Sequence, residues 1–223
     1  MRKIFFALLS LFLITGITAC TSKKDLELEG KKLISRKPPF TLMLPSEFIL
    51  VHSFSHENPT EHSLTRVFFF IKEKDKKVEE MLILQIADKT NPQAGPMTAA
   101  PLKPYEEKRL YSKGKVKRGE LEMDSLIQLM AWNPDASSLQ PIVKKGFVIP
   151  SCWALQGQSL FLYQGEHAIF FRYSKDVHSF GMKVSEKGED WEKGRISENE
   201  RKVYETFQKS FMEMMGSIQI KSP

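Results

Sequence analysis

Apolar residues fall into short alternating runs for most of this chain and take up a helical period only near its C-terminal end. Alternation with period two puts every second side chain on one face of a strand. Phe40-Thr41-Leu42-Met43-Leu44 reads as a first strand, stopped by Pro45. Arg66 to Glu73 and Val78 to Asp88 read as two strands of a hairpin, with Lys74-Asp75-Lys76-Lys77 as its turn. Phe68-Phe69-Phe70-Ile71 is apolar at every position. That predicts a strand covered on both sides, or one with a face buried against a helix. Leu121 to Trp132 is a further strand, with Asn133-Pro134 as its stop. Ile149–Leu155, Leu160–Tyr163 and Ala168–Tyr173 predict a meander with Gly157 and Gly165 at its turns, and Met182–Val184 as an extension.

Ser197 followed three residues later by Glu200 is a capping-box pattern and marks a helix start. Val203, Phe207, Phe211, Met214 and Met215 then share one helical face, and Gly216 is placed to take a left-handed cap. Ser217 to Ile220 predicts a short last strand. Pro104 to Lys113 reads as a short helix with Pro104 in its first turn and Gly114 beyond its end. Residues 52–65 and 89–103 read as loops. The expected fold class is α+β: a mostly antiparallel sheet with a short helix and a long C-terminal amphipathic helix packed on it.

The first twenty residues follow a different rule. Arg2 and Lys3 are positive, Ile4 to Ile14 is apolar apart from Ser10, and small residues precede Cys20. An apolar run this short, with a positive start and a small-residue end, reads as a secretory signal and not as a transmembrane helix. Ile17-Thr18-Ala19-Cys20 resembles the lipobox of bacterial lipoprotein precursors. The resemblance implies cleavage after residue 19, a diacylglyceryl group on the Cys20 sulfur and an acylated new amino end. Two or three acyl chains at about 0.8 kcal/mol per buried CH₂ give stable anchoring. Thr21, where inner-membrane lipoproteins of Gram-negative families tend to carry Asp, leans the expected address towards the outer membrane, facing the periplasm. The alternative is an ordinary cleaved signal with a chance cysteine.

Residues 20–37 are then the lipidated cysteine and a polar, Lys-rich tether, reaching on the order of 20–25 Å. Residues 38–223 form a single globular domain. Composition agrees: 41% hydrophobic and 27% charged residues exclude wholesale disorder and disulfide-scaffold classes. The formal charge of +6 is spread along the chain and includes the leader's Arg2 and Lys3, so no nucleic-acid partner is expected.

The opening Phe-x-Leu-x-Leu-Pro of residues 40–45 and the closing helix and strand of residues 197–220 resemble the two ends of PsbP/DcrB-like α/β sandwich domains. The Trp usual in that family shortly after the first Pro is absent here, Phe48 being the nearest aromatic. The resemblance implies a binding or assembly module with no shared catalytic residues.

Candidate chemistry is sparse. With Cys20 carrying lipid, Cys152 is left without a disulfide partner. It reads as a buried, inert thiol. The alternatives are an intermolecular disulfide, or a nucleophile served by His167 or His178 with Glu166 or Asp176 as orienting carboxylate. His52, His56 and His62, interleaved with Glu57 and Glu61, offer zinc- or copper-type ligands on a polar loop. Phosphate-loop, dinucleotide and nucleophile-elbow patterns are absent. Glu79-Glu80 and Glu106-Glu107 read as solvated pairs. Lys113, Lys115, Lys117 and Arg118 read as a basic turn around Gly114. The expected function is a lipid-anchored cell-envelope protein, without a cofactor, that binds or assembles with an envelope protein partner. A thiol hydrolase or transferase using Cys152, or a metal binder using the three histidines, are the other readings.

Overall fold

The computed structural model describes residues 26–118, 121–185 and 188–220. The leader and Cys20 therefore lie outside the described residues. Two antiparallel sheets and one long helix make up most of the remainder. The large sheet has seven strands: β4 (Ile49–Asn58), β5 (Ser63–Lys74), β6 (Lys77–Lys89), β7 (Tyr111–Arg118), β8 (Leu121–Trp132), β9 (Cys152–Tyr163) and β10 (His167–Asp176). Their spatial order is β4-β5-β6-β10-β9-β8-β7. The small sheet has the order β1-β2-β3-β11, from Leu26–Glu29, Lys32–Arg36, Pro39–Met43 and Ile218–Ile220. The mostly antiparallel α+β expectation holds, with the long helix α2 (Glu198–Gly216) at the C-terminal end.

The hairpin of β5 and β6 turns on Asp75 and Lys76, both at positive φ, where the alternating pattern placed it. The all-apolar Phe68–Ile71 run is explained by covering on both sides. Phe70 joins Leu82, Leu84 and Ile86 of β6 in a core with Leu33, Phe40 and Leu42 of the small sheet and Phe207 and Phe211 of α2. Phe69 and Ile71 point the other way, into a second core with Ile83, Trp132, Leu139, Ile142 and Phe147. The cover on that second face is the segment 133–149, which carries the single-turn helix α1 (Gln140–Val143). Backbone hydrogen bonds between Val148 and the start of β6 hold this cover down.

α2 starts at the predicted capping box. The Glu200 amide donates to Ser197 Oγ at 3.3 Å and the Ser197 amide to Glu200 Oε2 at 2.6 Å. Its apolar face lies on the large sheet. The Tyr173 and Phe207 rings stack at 5.4 Å, and Tyr204 Oη donates to the Ile127 carbonyl at 3.1 Å.

Several expectations are corrected. Residues 26–36, read as tether, form the β1–β2 hairpin, because Leu33 is buried against the main core. The described part thus begins twelve residues before the expected domain start at 38. Of residues 52–65, read as a loop, only 59–62 form a turn; 52–58 belong to β4 and 63–65 to β5. β4 is an edge strand whose polar residues face solvent, which masks its strand character in the sequence. Residues 104–110 hold no helix: the Tyr105 amide is taken by the Gln128 side chain at 2.5 Å, and Arg109 pairs with Glu192 across an isolated bridge. The basic cluster is the edge strand β7, where Lys115 and Lys117 pair with Glu122. Lysines on an unpaired edge discourage strand-to-strand association. Hydrogen bonding with Glu122 holds the Lys115 ammonium above its ordinary range and the Glu122 carboxyl below it.

Gly157 is not a turn but the middle of β9. A Cβ there would lie 2.3 Å from the Phe211 ring, so only glycine lets α2 approach the sheet this closely. Gly165 does sit at the β9–β10 turn, with Gln164, both at positive φ. Gly216 stays within α2, whose C-cap is Ser217 in right-handed conformation. Met182 to Val184 extends no strand. Glu80, expected on a solvated face, is buried. It accepts from Tyr173 Oη at 2.5 Å and lies 3.1 Å from Lys175 and 3.5 Å from Lys72. Burial first, and then the Glu80 charge, push the Tyr173 hydroxyl far above its ordinary range.

Candidate functional site

On the second face of the large sheet, neighbouring strands carry a row of polar side chains at hydrogen-bonding spacing. Gln128 of β8, Gln156 and Gln158 of β9 and Arg172 and Ser174 of β10 share this face by register. Gln158 Nε2 donates to Gln156 Oε1 at 2.6 Å, Gln128 Nε2 donates to the same oxygen at 3.3 Å, and Gln156 Nε2 donates to Ser174 Oγ at 3.1 Å. Every member of this chain has a partner. Buried amides satisfied in this way fix one arrangement of the sheet face.

Arg172 is the exception. Its Nε is buried with no hydrogen-bond partner, and its guanidinium makes no ion pair or hydrogen bond among the described residues. The one recorded contact is the Phe170 ring, 5.1 Å from the guanidinium carbon. Desolvation by burial holds its pKa below the ordinary value. Arg172 is half-buried, and the fully buried arginines are built differently: Arg66 is 2.6 Å from Asp88, and Arg109 is 2.9 Å from Glu106.

The space in front of Arg172 is a cleft of about 150 Å³. Met81, Ile83, Met130, Trp132 and Leu139 make its apolar walls, and Arg172, Gln156 and Ser174 its polar floor. An apolar cleft with a few convergent polar groups is the ordinary form of a small binding site. The volume is about that of one medium side chain. The charge wants an anion, and the planar guanidinium favours a carboxylate held by two parallel hydrogen bonds. Sequence reasoning missed Arg172. Its signal was there: a cation between Phe171 and Tyr173 in the otherwise apolar run Ala168–Tyr173.

A second constellation lies at the end of the same face. Cys152 opens β9 beside Trp132, and Asp176 closes β10 opposite Ala154. Asp176 caps the 3-10 turn Val177–Phe180, accepting from the His178 amide at 2.9 Å and standing 3.0 Å from His178 Nδ1. One ligand atom each from Cys152, Asp176 and His178 lies within 4.8 Å of the others. Lys77 Nζ is 3.9 Å from Asp176. Burial, and secondarily the charge and hydrogen bond of Asp176, push the Cys152 thiol up to about 12. The carboxylate stands against both the thiol and the imidazole, whereas an activated cysteine needs the imidazole next to sulfur.

The remaining sequence candidates are dispersed. His167 begins β10 and is 2.8 Å from Asp88; the length of the strand, roughly 30 Å at about 3.3 Å per residue, separates it from Asp176. His167 therefore serves no role at Cys152. His52 and His56 share a face of β4, but the Phe54 ring stacks between them at 5.6 and 6.0 Å. His62 sits apart in the β4–β5 turn, at positive φ. The three histidines do not converge.

The chain matches no protein-family model, no curated protein and no solved structure. Its function has to be read from its own geometry. Among the described residues no helix is long and apolar enough to cross a membrane.

Proposed function

We propose that this protein is a lipid-anchored cell-envelope module, held to a bilayer through Cys20, that binds a carboxylate carried on an apolar group in the Arg172 cleft. The n-region, apolar run and lipobox of residues 1–20 support the anchor. The expected address is the periplasmic side of an outer membrane. The likeness of residues 40–45 and 197–220 to the ends of PsbP/DcrB-like sandwich domains supports a non-enzymatic role. Binding rests on one observation: among the described residues the Arg172 guanidinium has no hydrogen-bond or ion-pair partner, and it faces a largely apolar cleft. Arg172 is half-buried, with its Nε sealed from water and unpaired, so its partial desolvation carries a cost that a bound anion would offset. The C-terminal carboxylate of an envelope protein partner, with its last apolar side chain, has the right size and charge. A free small organic acid has the same chemistry.

The thiol-enzyme reading is less well supported, since the Cys152 proton is held at neutral pH by burial and Asp176. The three-histidine metal reading lacks convergent ligands.

Two experiments test the proposal. Mass spectrometry of the protein from its native host should find an acylated amino end at Cys20; an unmodified end there removes the anchor. Isothermal titration should show binding of a short peptide with an apolar residue and a free carboxylate at its C-terminus. The C-terminal amide of the same peptide should bind at least about tenfold more weakly, a loss of about 1.4 kcal/mol. Arg172→Met should abolish binding without lowering unfolding stability, since an apolar side chain replaces a half-buried, unpaired cation. Benzoate binding more tightly than the peptide would assign the cleft to small acids. Failure of both ligands, or equal binding by Arg172→Met, refutes the binding proposal.

A further inference from the structure

The structure assigns a zinc-type divalent cation site to Cys152, Asp176 and His178, independent of the Arg172 cleft. The three donors are a sulfur, a carboxylate oxygen and an imidazole nitrogen, all within 4.8 Å of one another. That mixed set suits a borderline-soft ion. Zinc bonds of about 2.0–2.3 Å in tetrahedral geometry place neighbouring ligand atoms about 3.3–3.6 Å apart. The His178 nitrogen and Asp176 oxygen are already at 3.0 Å. That pair has to open by about 0.3–0.6 Å, and the donors still up to 4.8 Å apart have to close by at most about 1.5 Å, of the order a side-chain rotation supplies. His178, with 52% of its side chain exposed, is free to make it.

The fold prepares each donor. β9 and β10 pair so that Cys152 and Asp176 end on the same face, and the 3-10 turn folds His178 back over the Asp176 carboxylate. Asp176 is buried, and its nearest cation, Lys77, stands at 3.9 Å on an exposed stem. The adjoining cavity of about 310 Å³, lined by Trp132, Ser151, Trp153 and Val184, leaves room for water as a fourth ligand.

The Asp176 carboxylate stands beside both the thiol and the imidazole, and loading sets the cation among the three. The thiol proton goes to solvent as the sulfur–metal bond forms, and the neutral imidazole keeps its one proton on the ring nitrogen that does not bind the ion. The net release is about one proton per ion, and no electrons change hands. Coordination needs the thiolate, so the metal must outweigh the burial that keeps this thiol protonated.

The test uses the full chain, stripped with a chelator and titrated with Zn²⁺ and Co²⁺ alone. Co²⁺ is expected to give a thiolate-to-metal charge-transfer band. Zn²⁺ is expected to bind once per chain with release of about one proton, read by calorimetry in two buffers of different ionisation enthalpy. Cys152→Ser should abolish the Co²⁺ band. His178→Ala, an exposed change that leaves the fold intact, should weaken Zn²⁺ at least about tenfold. Lys77→Ala should tighten it by removing a repelling charge. Absence of the band, or Zn²⁺ affinity unchanged in both Cys152→Ser and His178→Ala, overturns the assignment.

Discussion

Truncating Phe211 to alanine is expected to lower unfolding stability by about 3–5 kcal/mol, the usual cost of deleting a fully buried phenyl ring. The ring is 0% exposed and rests on the bare backbone of Gly157 in the middle of β9. The same contact predicts the converse. Gly157→Ala puts a Cβ 2.3 Å from Phe211 Cδ2, and the ring cannot yield within a close-packed core. We expect a loss of about 1–3 kcal/mol from overpacking, read as a lower denaturant midpoint at constant slope. In the Phe211→Ala background the added methyl fills part of the vacated space, so Gly157→Ala should then cost little. A coupling of at least about 1 kcal/mol in this double-mutant cycle identifies the contact. Strict additivity would show that α2 is not seated on Gly157.

The second large effect is expected at Asp88. Its carboxylate accepts from Arg66 Nη2 at 2.6 Å and lies 2.8 Å from His167 Nδ1. Arg66 has 10% of its side chain exposed, and its Nε is already without a partner. Asp88→Ala leaves that guanidinium with the Lys37 carbonyl as its remaining acceptor. A buried ion pair broken from one side costs about 3–5 kcal/mol, because the surviving charge stays desolvated. Replacing both partners, as Arg66→Met with Asp88→Leu, should restore most of the loss. Equilibrium unfolding of the three proteins measures this directly. A loss under about 1 kcal/mol for Asp88→Ala would place the pair among solvated surface contacts.

Strands with an apolar face and a clear turn were readable in the sequence. β8 falls on the predicted Leu121–Trp132, and the β5–β6 turn falls within the predicted Lys74–Lys77. α2 was readable because its capping box and its apolar stripe agree. The errors share one physical origin, which is that long-range contacts overrode a local signal. Gly157 looks like punctuation, but its reason for being glycine is a ring fifty-four residues later. His52, Ser53, Ser55 and His56 look like loop residues because β4 is an edge strand that is wet along much of its length. Residues 26–36 look like linker because a four- or five-residue strand among lysines has too few apolar positions to show a period. Cys152, Asp176 and His178 were each noticed in the sequence, yet their convergence depends on β9–β10 register, which spacing along the chain does not encode. The role of Arg172 is not legible in the sequence because a lone arginine in a strand ordinarily finds a carboxylate, and only the folded sheet reveals that among the described residues this one does not.

The order β1-β2-β3-β11 sets the first and last described strands at opposite edges of one small sheet, on the far side of the seven strands from Arg172. A pull applied through β1 or β11 therefore acts on the small sheet and not on the Arg172 face. Held to a support through β1, the domain would turn the face that carries Arg172 away from it. Fusions or immobilising handles at either end should likewise leave that front clear.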